Sequence, residues 1–314
     1  VRTRSGTFIT LSISAGLILS GCWSGSPSQK SANDEKWTTV SSSPTSKNGS
    51  NANHESNTQI FKDVEIKDGG FRANLPAGFT DPTDSVGEKI LQEYGAVFVA
   101  KGGVSAPTKV VFRDEKEVAE YQKSLNTTRS EIRGTEIELQ QPAMIALKNA
   151  IVETQNAGVT ISPRGTDAAK RNYSGTVELW KSRVEPGLRH WVSKGRIDSS
   201  EAQRIGSLSP FEQVSEILRL EERGIFFSKD LSKSIMYSVA PPGTSQHLSM
   251  LALDVAEHDD PKVRAILAQY GWYQTVVSDL PHFTYLGVAE NDLAKIGLMK
   301  TSQNGRVYWT PKLN

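Results

Sequence analysis

Two histidines and an aspartate between Ala240 and Gly287 have the residue types and spacing that a metal ion needs. His247 and Asp254 lie in Ser245-Gln246-His247-Leu248-Ser249-Met250-Leu251-Ala252-Leu253-Asp254, and His282 follows in Asp279-Leu280-Pro281-His282-Phe283-Thr284-Tyr285. Imidazole nitrogen and carboxylate oxygen both bind Zn²⁺. Three such ligands leave a fourth position for water, the arrangement of a catalytic rather than a structural zinc. The other histidines carry less: His54 sits in a Ser/Asn-rich stretch, His190 beside Trp191 in a helical segment, and His258 in an acidic turn.

The elements that must position these groups can be read around them. If 250–256 is a strand, Leu251, Leu253 and Val255 point to one face and Ala252 and Asp254 to the other. The first face is core, which leaves Asp254 beside a small alanine with room above it. His247 precedes that strand in the Pro241-Pro242-Gly243-Thr244 loop region, where the chain can fold over so that His247 and Asp254 meet at one ion. Residues 262–270 read as a helix closed by Gly271 and 272–277 as a strand; the turn 278–281 then sets His282 at the head of the strand 283–285.

Upstream, 138–157 reads as a helix with Met144, Leu147 and Ile151 on one face and Gly158 as its stop. A short strand at 159–161 delivers Arg164 to the start of a helix from 166 or 167 through Trp180, a place from which an arginine can face a cleft. Residues 185–224 read as a helical insertion, with Ser209, Pro210 and Glu212 forming a capped start for its last helix. Nearer the N-terminus, 88–94 and 114–125 have helical composition, and the apolar runs 96–100 and 108–112 read as paired strands. After Gly287, 290–296 reads as a short helix and 307–309 as a strand that finishes the sheet. The fold expected is α+β: an antiparallel sheet with flanking helices, zinc in a cleft at the sheet, and the helical segment of about 166–223 as one wall.

Composition narrows the partners. Lys+Arg 36 and Asp+Glu 35 nearly cancel to +1, so no nucleic-acid footprint is expected. At 314 residues the chain can bury a sizeable core, and a single domain at 60–314, with its catalytic part at about 138–287, is the simplest organisation. The chain is read as a monomer. A basic start at Val1-Arg2-Thr3-Arg4, an apolar run from Phe8 to Leu19 and Leu19-Ser20-Gly21-Cys22 read as a secretory signal over 1–21. The last four residues resemble a bacterial lipobox, which implies cleavage before Cys22, lipidation of its sulfur and anchoring to a membrane of the bacterial cell envelope. Cys22 is the only cysteine, so no intrachain disulfide is expected. Residues 23–59 are rich in Ser, Asn, Thr, Lys and Gly and read as a disordered tether with a root-mean-square reach of roughly 30–36 Å.

The motif itself is similar to one in a known family. Ser245-x-His247-x-x-x-x-Ala252-x-Asp254, followed by an acidic residue three before His282, resembles the Ser-x-His-x-x-Gly-x-Ala-x-Asp and Glu-x-x-His pair of the D-alanyl-D-alanine carboxypeptidases, the family of the VanY-type and VanX-type enzymes. The resemblance covers about 160–287. It implies that His247, Asp254 and His282 bind Zn²⁺ and that Asp279 stands where the family keeps its glutamate base. It further implies that Arg164 grips the substrate's terminal carboxylate and that Ser245 hydrogen-bonds around the site; Met250 occupies the place of the family's glycine. The expected activity is zinc-dependent removal of the terminal D-alanine from a peptidoglycan stem peptide. The alternatives are a catalytically impaired wall-peptide-binding lipoprotein and a related L,D-carboxypeptidase or endopeptidase.

Overall fold

The three candidate ligands are gathered by one antiparallel pairing and the turn that precedes it. In the computed structural model, which describes residue 61 and residues 64–313, strands β3 (Ala252–Asp254), β4 (Trp272–Tyr273) and β5 (His282–Tyr285) form a sheet in the order β3-β5-β4. The register pairs Ala252 with Thr284, Leu253 with Phe283 and Asp254 with His282. Directly paired residues share a face, so Leu253 and Phe283 enter the core together while Asp254 and His282 stand side by side on the other face. Leu251, Leu253, Val255 and Phe283 are buried, as the alternation predicts.

Seven helices of eight residues or more accompany this sheet among the described residues: α1 (Ser85–Tyr94), α2 (Glu115–Lys123), α3 (Gln141–Ala157), α4 (Tyr173–Ser193), α5 (Ser199–Ser207), α6 (Pro210–Glu222) and α7 (Pro261–Gln269). Hairpins β1 (Thr127–Ile132) with β2 (Thr135–Gln140) and β6 (Leu298–Gln303) with β7 (Arg306–Pro311) form two further sheets. The fold class is α+β, with three small antiparallel sheets in place of one larger sheet. The described residues fall within one compact unit, Gly49–Asn314. None of their helices is long and apolar enough to cross a membrane. The signal segment, Cys22 and the tether lie outside the described residues.

The α6 start follows its sequence: the Ser209 side chain accepts from Glu212 N, the Glu212 carboxylate reaches back to Ser209 N, and Pro210 fills the first turn. Several other elements differ from their reading. Gly95–Val99 is a 3₁₀ turn buried throughout, and 108–112 makes only a bridge from Lys109 to Thr80. A short apolar run carries no period, so burial on every side looks the same in strand and helix. Residues 138–140 belong to β2, whose hairpin turns at Arg133 and Gly134 with φ of 52° and 78°. α4 starts at Tyr173, where Asn172 accepts from Gly175 N at 2.9 Å, and runs on through Pro186. Ser182 and Pro186 lie on its exposed side, so the carbonyl that loses its partner faces solvent. β7 pairs with β6 rather than joining the sheet of β3, β5 and β4.

Candidate metal centre

His247 comes from the 3₁₀ turn Gln246–Ser249, which the loop before it fixes in place. Gly243, at φ +76°, accepts from Phe112 N at 3.0 Å, and its own N–H donates to Thr176 Oγ1 at 3.2 Å. A Cβ there would lie 1.8 Å from Phe112 O, so only glycine fits. The turn ends at Met250, which is buried and left-handed at φ 55°. Met250 therefore holds a left-handed conformation that favours glycine, with a buried side chain in place.

The segment before α4 runs along β3: Arg164 N donates to Asp254 O at 2.9 Å, Asp254 N to Ala168 O at 2.8 Å and Ala256 N to Ser162 O at 2.9 Å. Ala168 and Ala169 are both buried, and their small side chains permit this approach. As a result Ala169 O receives the His247 Nδ1–H at 2.9 Å, which leaves His247 Nε2 bare. On the other side, His282 Nε2 lies 2.9 Å from Gln246 Oε1. An amide oxygen only accepts, so that nitrogen carries the proton and His282 Nδ1 is bare.

The two bare nitrogens and one carboxylate oxygen converge. His247 Nε2 and His282 Nδ1 are 3.1 Å apart, and Asp254 Oδ1 is 3.3 Å from each. Asp254 Oδ1 is buried and has no hydrogen-bond partner. Three acceptors facing one another with no donor between them repel unless a cation sits among them. Ligands held at about 2.0–2.1 Å around a tetrahedral ion stand about 3.3–3.4 Å apart, so the donor set and its spacing fit Zn²⁺. Among the described residues this is the group of His, Cys, Asp or Glu side chains able to hold a metal ion.

The charges agree with that fit. Burial holds the His247 imidazole below its ordinary pKa against the pull of Asp254, which favours the neutral ring that a metal needs. Burial pushes the Asp254 carboxyl up, but the neighbouring His247 and His282 outweigh it and hold it below the usual carboxylate range. Its second oxygen accepts from Arg171 Nη2 at 2.8 Å, with both side chains largely buried, and so the carboxylate's aim is fixed.

A cavity of about 250 Å³ adjoins the triad, with Ser245, His247, Asp279 and His282 in its lining. Asp279 is set there by a turn in which its N–H bonds to Val276 O at 3.1 Å and its carbonyl accepts from His282 N at 3.3 Å. Thr176, Leu179 and Arg183 of α4 line the cavity, as do residues 236–240. Arg183 donates to Ser238 Oγ at 2.7 Å and Ser182 Oγ at 2.9 Å and meets no carboxylate among the described residues. Arg164 is exposed and does not line the cavity; Arg171 and Arg183 do.

Sequence reasoning thus missed Arg171, Arg183 and Gln246. The two arginines stand in an ordinary charge pattern. The one available signal for Gln246 was Thr284, a small polar residue on the strand face shared with His282, which implies a buried polar neighbour. Comparison with protein-family models, curated proteins and solved structures finds no match for this chain.

Proposed function

We propose that this chain is a zinc-dependent D,D-carboxypeptidase that removes the terminal D-alanine from peptidoglycan stem peptides. The observation that carries the reading is the convergence of three bare acceptor atoms at 3.1–3.3 Å, with Asp279 lining the adjoining cavity. The order of these residues along the chain is also the one that resembles the family. Zn²⁺ held by His247, Asp254 and His282 would supply Lewis-acid polarisation of the scissile carbonyl and of the attacking water. Asp279 accepts that water's proton and returns it to the departing amine. Ser245, at the cavity wall, offers its hydroxyl to the bound peptide. A cavity of about 250 Å³ is below the roughly 300–1,000 Å³ typical of drug-sized ligands and suits a small terminal residue.

Arg183 lines this cavity without an acidic partner, so we assign it the substrate's terminal carboxylate, the role the resemblance gives to Arg164. Lipidation at Cys22 would hold the enzyme in the bacterial envelope within tether's reach of the wall. Incorporation of a fatty-acid analogue, lost in Cys22→Ser, tests that anchor. A second reading, a wall-peptide binder without turnover, is favoured by Asp279, whose carboxylate is one methylene shorter than the family's glutamate. Misplacement by about 1 Å can cost roughly a hundredfold in rate.

The deciding experiment is D-alanine release from a muropeptide pentapeptide by the purified protein, with and without chelator. Release that disappears with chelator and in Asp279→Ala supports the carboxypeptidase. Arg183→Ala should raise KM, and Arg164→Ala should leave it unchanged; the reverse result returns the anchor to Arg164. No release from folded, zinc-loaded protein moves the assignment to peptide binding. Release of an internal fragment moves it to an endopeptidase.

A further inference from the structure

We infer that Gln246 is a positioning residue of the metal centre: its carboxamide selects which nitrogen of His282 is bare, and the N-terminal part of the domain fixes the carboxamide. The inference rests on the zinc reading above. A neutral imidazole can carry its proton on either nitrogen, and only the bare one can bind a metal. At His282 that choice is made by Gln246 Oε1, 2.9 Å from Nε2.

The amide could make the opposite choice by turning over, and its neighbours prevent this. Gln246 Nε2 donates to Tyr94 O at 2.9 Å and to Thr275 Oγ1 at 3.3 Å, while Thr284 Oγ1 donates to Gln246 Oε1. A flipped amide would set its oxygen against the Tyr94 carbonyl, acceptor against acceptor, and its NH₂ against His282. The first contact cannot be relieved, because Gln246, Thr275 and Thr284 are all buried and solvent cannot repair it. A backbone carbonyl therefore orients the amide, the amide sets the tautomer, and the tautomer bares Nδ1.

Tyr94 is the last residue of α1 and lies 152 positions from Gln246 in the chain. Its phenol donates to Met236 O at 2.6 Å, and its side chain lines the cavity beside the triad. The N-terminal part of the domain, which contributes none of the three ligands, thus determines how one of them presents itself.

The test uses the full-length ¹⁵N-labelled protein. Long-range ¹H–¹⁵N spectra of the metal-free protein should show His282 protonated at Nε2 and His247 at Nδ1. Gln246→Met keeps a similar volume without the acceptor; it should lose the His282 tautomer preference and weaken Zn²⁺ binding, read by competition with a chromogenic chelator, by about 10–100-fold. Thr284→Val removes one prop from the amide and should keep the tautomer with a loss below about tenfold. His282 protonated at Nδ1 in the wild type, or Gln246→Met binding Zn²⁺ within about twofold of it, overturns the role assigned to Gln246. If Gln246→Met does not fold, the wild-type tautomer and Thr284→Val decide. A wild type that binds no Zn²⁺ overturns the zinc reading and this inference together, whereas tight wild-type binding unchanged in the variant overturns the inference alone.

Discussion

Asp254→Asn puts an amide among the two bare imidazole nitrogens. Asp254 Oδ1 is buried without a partner, 3.3 Å from each of them. With the asparagine oxygen turned to Arg171, its NH₂ occupies the Oδ1 position and donates to His247 Nε2 or His282 Nδ1. One ordinary hydrogen bond is worth about 0.5–1.5 kcal/mol, while the bond from Arg171 drops from a charged one worth about 1.5–3 kcal/mol to an ordinary one. These changes offset, and the stability of the metal-free variant should stay within about 1 kcal/mol of the wild type, or about 2–4 °C in Tm for a domain of this size. The response to metal should vanish. Zinc at a hundred times its Kd stabilises the wild type by about 2.7 kcal/mol, or about 5–11 °C, and should leave Asp254→Asn unmoved. Differential scanning fluorimetry with chelator and with Zn²⁺ measures both quantities. A metal-free variant destabilised by about 3–5 kcal/mol would refute the reasoning, because that is the signature of breaking a structural buried ion pair.

Other outcomes follow from the same geometry. Because burial lowers the pKa of His247 in the fold, its contribution to stability is full above the unfolded value of about 6.5 and is lost as pH falls through that value toward the folded one; denaturation of metal-free protein should show less stability at pH 5 than at pH 7.5, and equal stabilities would mean that the ring takes up its proton as readily folded as unfolded. Gly243→Ala forces a Cβ against Phe112 O at positive φ, and should cost more than about 3 kcal/mol and reduce zinc affinity by displacing the loop that carries His247, both read by thermal melts and metal titration. Met250→Gly relieves about 1–2 kcal/mol of left-handed strain but empties a buried site, so chemical denaturation should show a net loss of about 1–3 kcal/mol; a gain would mean that the side chain adds little packing.

The parts of this protein that were legible in its sequence are those that obey a local rule. Ser209, Pro210 and Glu212 mark the start of α6 because a capping box is made within four residues. Leu251, Leu253 and Val255 mark the core face of β3 because side chains alternate along a strand. His247, Asp254 and His282, the group that could hold a metal ion, stood out because those residue types at such intervals suit one. What stayed hidden depends on partners distant in the chain. Arg171 matters because Ala168 and Arg164 run beside β3 and bring it to Asp254, and nothing near Arg171 in sequence separates it from Arg164. Gln246 depends on a carbonyl supplied by α1. Gly95–Val99 carried an apolar pattern compatible with either kind of secondary structure, and the position of Pro186 on the exposed side of α4 could be known only once that helix had a buried side.

The pairing of Asp254 with His282 would also make a metal ion held here a reader of strand alignment. β3 is three residues long, and so short a strand holds its alignment to β5 weakly through its own ladder. A slip of one residue would turn Asp254 to the core face and bring Leu253 or Val255 opposite His282, and no ligand triad would form. Only the aligned chain gathers all three groups, so a metal ion bound there would favour that alignment over its neighbours by the full binding free energy. Zinc present during refolding would then act on the sheet itself, selecting one pairing of a strand too short to specify it alone.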